Sequence, residues 1–385
     1  MKANALRTTE FIRVGMVGLA AFGACVMALP VGAAPAYSAT LLGSLGGNDS
    51  WGHAINDYGQ IAGYSQIAGS FNVHATLHTG SAVTDLGTLG GTQSYGYGIN
   101  NRGQIAGWSF TGNGLVRAFV YANGTMTALG TLGGTESYGH AINDGGQIAG
   151  YASGPGNASW RAFRYSGGVM SDLGTLGGTS SIGFGINEQG QVTGTAQIAG
   201  DGAWHAVVYS GGAAIDLGTL GRASSEGRAI SSNGQVTGLT YSAGVWDARA
   251  FLYANGIMTD LGTLGGRASH GLGLNDSGQV VGLSYIRGDD TTLHAFLYSA
   301  GVMVDLNDVT TGLGGATLFN ATAINGVGQI VALGRNGINL QVYRLDPIQP
   351  ATSVHDVPTL SPWSIVALMF AMIAALLLLR RPQTR

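Results

Sequence analysis

Ile99-Asn100-Asn101-Arg102-Gly103-Gln104 is one of seven copies of an Ile-Asn-x-x-Gly-Gln stretch, which begin at Ile55, Ile99, Ile142, Ile186, Ile230, Leu274 and Ile324. Successive copies lie 44, 43, 44, 44, 44 and 50 residues apart. A period of this size marks one supersecondary unit repeated around a ring or along a stack. A residue that recurs in every copy is therefore read first as scaffold.

Outward from the motif, each unit holds four short segments, at residues 83–86, 95–99, 104–108 and 117–121 in one copy. Gly is abundant, helical spacing is absent, and β-branched and aromatic residues sit in short runs, which is an all-β pattern. Asn100 and Gly103 carry the chemistry of a hairpin. Asn opens a type I turn by bonding forward to the backbone, and Gly accepts the left-handed conformation that ends it. A functional ring of Asn residues is the sharper alternative, but turn physics already accounts for them. Ala122-Asn123-Gly124 and Ser166-Gly167-Gly168 read as tight hairpin turns as well. Phe119 with Tyr121, Phe163 with Tyr165, Phe251 with Tyr253 and Phe296 with Tyr298 share one strand face and read as core.

Four strands per unit over seven units predict a seven-bladed β-propeller of four-stranded blades spanning residues 40–345. A β-solenoid is the runner-up, but it calls for coils of uniform rise rather than hairpins. Either the Gly-Thr-Leu-Gly-Gly stretch (residues 87–91 in one copy) or the variable stretch before the fourth segment crosses between blades. In both cases the strands near residues 40–43 and 340–345 end side by side, fastening the ring.

The two ends differ from this body. Lys2, Arg7 and Arg13 precede an apolar run over residues 14–34, and Ala34-Pro35-Ala36 follows. That order predicts a signal peptide over residues 1–36, cleaved within about residues 34–39. Cys25, the single cysteine, falls inside it, so a buried core rather than disulfides holds the mature body. At the other end, residues 346–356 read as a linker, and residues 364–379 form sixteen uncharged positions closed by Arg380 and Arg381. This predicts a short membrane helix with its basic tail inside and the repeats outside. Only 10% of the chain is charged and the net charge is −3, so no basic footprint for nucleic acid is present.

Two stretches resemble known families. Val357-Pro358-Thr359-Leu360-Ser361-Pro362-Trp363, with the helix and basic tail after it, resembles the IPTL-CTERM sorting signal. The resemblance implies a bacterial envelope protein whose tail is recognised by a membrane sorting enzyme; Val357, Pro358, Thr359, Leu360, Trp363, Arg380 and Arg381 are the residues concerned. His294-Ala295-Phe296, its variants Arg117-Ala118-Phe119, Arg161-Ala162-Phe163 and Arg249-Ala250-Phe251, and the Asp-Leu-Gly-Thr-Leu-Gly-Gly and Ile-Asn-x-x-Gly-Gln stretches resemble HAF extracellular repeats. That resemblance implies an exported repeat protein and no particular reaction.

Catalysis rarely needs seven equal copies, so a site should break the repeat. His74, His205 and His294 occupy positions where other copies carry Arg117, Arg161 and Arg249. Arg does not coordinate metal as a base, so this position reads as polar scaffold. His53 and His140 share a position with Tyr97, Phe184, Arg228, Leu272 and Thr322, too far apart in a ring for one zinc. Asp85, Asp172, Asp216, Asp260 and Asp305 recur on separate units, which suits scaffold better than calcium. No metal or cofactor is expected. The variable stretches carry Phe71, Phe110, Trp160, Trp204, Trp246 and Tyr285, the candidate binding-loop aromatics. Such rings stack on sugars or anchor a protein partner, although covering their own sheets is the blander role. The sequence thus predicts an exported, surface-anchored or secreted module that binds a glycan or envelope protein, or serves a structural role, without catalysis. An extracellular hydrolase or lyase acting on envelope polysaccharide through a funnel on one face is the alternative.

Overall fold

In a computed structural model of the chain, residues 37–242 and 247–348 are described. The signal segment, the sorting residues Val357 to Arg381, most of the expected linker and Trp246 lie outside them. Among the described residues no helix is long and apolar enough to cross a membrane.

The body is all-β. Strand β1 (Tyr37–Leu41) is followed by β2 (Gly46–Ile55), β3 (Ile61–Ile67), β4 (Val73–Thr79) and β5 (Ala82–Asp85). Strands β2 to β5 form an antiparallel meander. The same four-strand meander recurs in groups that start at Gly90–Ile99, Ser137–Ile142, Gly177–Ile186, Ser224–Ile230 and Gly265–Leu274. A single bridge from Val73 to Gln93 ties the first two groups into one larger sheet. The last sheet is built from Thr317–Ile324, Ile330–Asn336, Asn339–Pro347 and β1, with Thr310–Thr311 along the outer edge of β1.

This order settles the crossing. The Gly-Thr-Leu-Gly-Gly stretch leads from one outer strand to the next inner strand, and the variable stretch joins the second and third strands of one sheet. Closure follows: β1 runs antiparallel to Asn339–Pro347, with Tyr37 opposite Pro347 and Leu41 opposite Tyr343. A linear stack does not bring those strands together. The strands reach slightly beyond residues 40–345, so Asp346 and Pro347, expected in the linker, instead pair with Ser38 and Tyr37.

Packing between sheets is apolar on the third strands. Phe119, Phe163, Phe251 and Phe296 are fully buried, each in a cluster with aliphatic residues of the adjoining unit. A buried serine adds a polar link. Ser94 Oγ accepts the Ala75 amide at 2.8 Å and donates to the Gly87 carbonyl. Ser137, Ser181, Ser225 and Ser269 accept the Ala118, Ala162, Ala206 and Ala250 amides in the same way.

The turn Asn does more than turn. Asn56 Oδ1 accepts the Tyr58 and Gln60 amides at 3.1 and 3.0 Å, and Gly59, at φ +73°, closes the turn. Its side-chain amide donates to Gln60 Oε1 at 2.8 Å and to the Asn100 carbonyl of the next unit at 3.0 Å. Asn100, Asn143 and Asn187 each reach the following unit likewise, and so does Asn275. Asn325 returns to the Asn56 carbonyl at 2.9 Å, which closes the belt on itself. One step is missing: Ser231 has no amide to give, and Gln235 Oε1 beside it is left buried without a partner.

Candidate binding site

Each inner strand contains a β-bulge at one fixed place. Gly52 pairs with Gly63 and Ala54 with Ala62, which leaves His53 as the extra, unpaired residue. The same shift leaves out Tyr97, His140, Phe184, Arg228, Leu272 and Thr322. A bulge re-aims a side chain, here from the sheet face toward the axis. These residues, with Trp51 and Asn320, line an axial cavity of about 260 Å³. Two residues further along the strands, Ile99, Ile142, Ile186, Ile230, Leu274 and Ile324 form an apolar collar, and the Asn belt lies beyond it.

The mouth above the collar is lopsided. On one side the rings form a continuous arc. His53 stacks on Tyr97 at 4.3 Å between centroids, and Tyr97 meets His140 at 4.9 Å. Behind them Trp51 stacks near Tyr64 at 6.2 Å, Tyr95 on Trp108 at 4.1 Å, and Tyr138 on Tyr151 at 4.8 Å. His140 meets Phe184 edge-on at 5.4 Å, where the arc ends. The Arg228 guanidinium then lies 4.4 Å over the Phe184 ring. It also pairs with Glu226, which accepts a longer bond from the Tyr241 hydroxyl at 3.4 Å. Leu272, Asn320 and Thr322 complete the lining without a ring.

Burial governs the ionisation here. It pushes the His53 imidazole down to about 4. His140 is pushed down to about 3, by burial first and then by the charges of Arg228 and His53. Both imidazoles are thus neutral at pH 7. Three lining atoms are buried without a hydrogen-bond partner: His53 Nε2, Arg228 Nε and Asn320 Oδ1. Buried polar atoms are normally satisfied, so three orphans on the residues of one cavity call for an explanation.

The aromatics expected in loops sit mostly on strands, because the second and third strands run into the variable stretches. Of those among the described residues, only Phe71 remains in a connection, 92% exposed and far from a lining role. Phe110 lies on Ile105–Thr111, Trp160 and Trp204 open Trp160–Ser166 and Trp204–Ser210, and Tyr285 lies buried on Val280–Ile286. Phe110 and Trp160 join the outer rim of the arc, beside Trp108 and Tyr151. Tyr285 is capped by Arg267 at 4.6 Å.

The alternating His and Arg residues have a structural partner. His74, His205, His294 and Arg161 pair with Asp85, Asp216, Asp305 and Asp172, the repeated carboxylates of the outer strands. Where Ala128 replaces the carboxylate, Arg117 turns to the Thr135 carbonyl. The ring between His53 and His140 is Tyr97, so these imidazoles do not share a metal position. Among the described residues no group of three or more His, Cys, Asp or Glu side chains is placed to hold a metal.

No family model matches the chain, and no curated protein is similar to it. Solved structures share its fold. The β-propeller domain of the Trilobed protease from Pyrococcus furiosus aligns with a TM-score of 0.51 at 10% identity, over 79% of this chain and 99% of that one. A puromycin-hydrolyzing peptidase from Mycobacterium tuberculosis aligns with a TM-score of 0.52 at 11% identity, over 82% of this chain and 55% of that one. TolB from Acinetobacter baumannii aligns at 0.43 and 12% identity over 75% of this chain, which spans 64% of the TolB chain. The architecture is that of a β-propeller, built from four-stranded sheets.

Proposed function

We propose that the chain is a seven-bladed propeller that acts as an exported binding module, with the lopsided axial mouth as its recognition surface and no catalytic step. The observation that carries this reading is the divergence at the bulge. Around it the Gly, Ile and Asn positions repeat from unit to unit, as scaffold does. At the bulge itself the side chains are His53, Tyr97, His140, Phe184, Arg228, Leu272 and Thr322. A repeat that keeps its frame and varies the residues facing one cavity has the form of a site placed on a scaffold. Glycoside hydrolysis calls for two carboxylates flanking the bond. The described cavity lining offers two neutral imidazoles and a guanidinium, which suits recognition better than that chemistry.

The test is retention of purified envelope polysaccharide and of solubilised envelope protein on the immobilised full chain. Tyr97→Ala with His140→Ala should abolish retention, while Phe71→Ser should not. Retention indifferent to the mouth variants would move the site elsewhere, and release of new reducing ends from the polysaccharide would favour the hydrolase reading. Export and tail sorting belong to the same proposal. N-terminal sequencing should find a start near residue 37, and replacing Pro358 and Thr359 should alter the division of protein between envelope and medium.

A further inference from the structure

We infer that the axial mouth takes one uncharged sugar ring, presented as the end of a glycan or as a free glycoside. This rests on the reading of the mouth as a binding surface and names its ligand class. Three features of the cavity converge on it.

The first is the chemistry of the orphaned atoms. Arg228 Nε can only donate, Asn320 Oδ1 can only accept, and His53 Nε2 does either according to its tautomer. A ligand that satisfies them must carry both donors and acceptors. A hydroxyl is both at once, and adjacent ring hydroxyls supply several in a small space. A carboxylate or phosphate offers acceptors only and leaves Asn320 Oδ1 unmet.

The second is charge. The guanidinium of Arg228 is already paired with Glu226, so the cavity lining presents no spare formal charge. An anion would have to compete with Glu226, and a cation would face Arg228. The third is shape. The packed rings of His53, Tyr97 and His140 give an aromatic wall on one side of the cavity, against which the C–H groups of a pyranose can pack. The cavity of about 260 Å³ is smaller than the roughly 300–1,000 Å³ of sites that hold drug-sized ligands. Below it the apolar collar offers a polar ligand no further hydrogen-bond partners, so one ring accounts for the polar groups of the mouth.

Saturation-transfer NMR and Trp fluorescence titration on the full chain test this. The probes are the methyl glycosides of glucose, galactose, mannose and N-acetylglucosamine, with glucuronate and glucosamine as the charged counterparts. At least one neutral glycoside should bind saturably, ten-fold or more tighter than either charged sugar. Tyr97→Ala should weaken it at least ten-fold. Because that change removes packing, Leu272→Trp serves as a second variant: it fills the mouth at a position where another unit carries Tyr97, and it should block binding while the melting curve holds. Tighter binding of glucuronate or glucosamine would overturn the uncharged class while leaving the mouth as the site. Binding that survives Leu272→Trp, or no binding of any probe up to 50 mM by order of magnitude, would overturn the inference itself. Retention of envelope polymer by the mouth in that last case would leave the binding-module reading standing.

Discussion

Single residues in this fold are held by what faces them across a bulge. Gly107 lies opposite the place where the strand shifts register, and a Cβ there would sit 1.9 Å from the Tyr95 carbonyl oxygen. Backbone cannot be pushed aside as a side chain can, so Gly107→Ala should cost at the upper end of about 1–3 kcal/mol. Gly130 has open space around it, and Gly130→Ala should change stability by about 0.5 kcal/mol or less. Urea unfolding of the two variants separates them. The imidazoles at the mouth make a second prediction. His53 and His140 titrate near 4 and 3 in the folded chain, against about 6.5 when unfolded. Between pH 6.5 and 4 the unfolded chain takes up protons that the folded chain refuses. Their contribution is therefore fully present above 6.5 and is lost as pH falls toward 4. Unfolding free energy measured from pH 7 to 4.5 should fall less steeply in His53→Gln than in the wild type. A slope unchanged by the substitution would count against a buried neutral imidazole.

At the scale of elements, the hairpins were legible in the sequence because turn chemistry is local. Asn100 and Gly103 announce their turn within four residues, and the structure shows that turn. The second duty of Asn100, its bond to the Asn143 carbonyl 43 residues on, was not legible, since it depends on how units stack. The bulge ring was hidden for the same reason. Gly96-Tyr97-Gly98 reads as ordinary strand until its pairing with Ala106 and Gly107 shows one residue too many. Phe110, Trp160, Trp204 and Tyr285 fall on strands rather than loops, because strand length past a turn has no local marker in sequence. His205 and Asp216 each read as scaffold from their recurrence, but only the hairpin between them makes them a pair. The belt offers a prediction of its own. In Ser231→Asn the new amide would have both Gln235 Oε1, now unpartnered, and the Asn275 carbonyl to serve. Two bonds at roughly 0.5–1.5 kcal/mol each should raise stability by about 1–2 kcal/mol, read as a higher urea midpoint at unchanged slope.

For the whole molecule, integrity depends on where the ring is fastened. Every unit but the last takes its outer strand from its own neighbourhood in the chain, while the last takes β1 from the far end. Tyr37, at the start of β1, is fully buried among Leu306, Leu318 and Leu345. Tyr37→Ala should cost about 3–5 kcal/mol, as aromatic truncation in a core does, although the residue stands at the edge of the described body. The fastening can also be locked. Thr40 and Arg344 are cross-strand partners, and the described residues contain no cysteine. Thr40→Cys with Arg344→Cys should oxidise to a single crosslinked species that migrates faster on a non-reducing gel and melts higher. Failure to crosslink would mean that the ring is not fastened there.

The direction of that fastening decides how the body responds to load. Because β1 and its partner are antiparallel with Tyr37 opposite Pro347, the chain enters and leaves the ring at the same end of one ladder. Tension applied between these two points would not shear the ladder, which would strain all its bonds together. It would peel the strands apart like a zipper, one bond at a time, and the ring would open at low force. A body tethered through only one of its ends never feels that pull. The fold is therefore suited to hanging from a single attachment, and poorly suited to serving as a link within a tensioned chain.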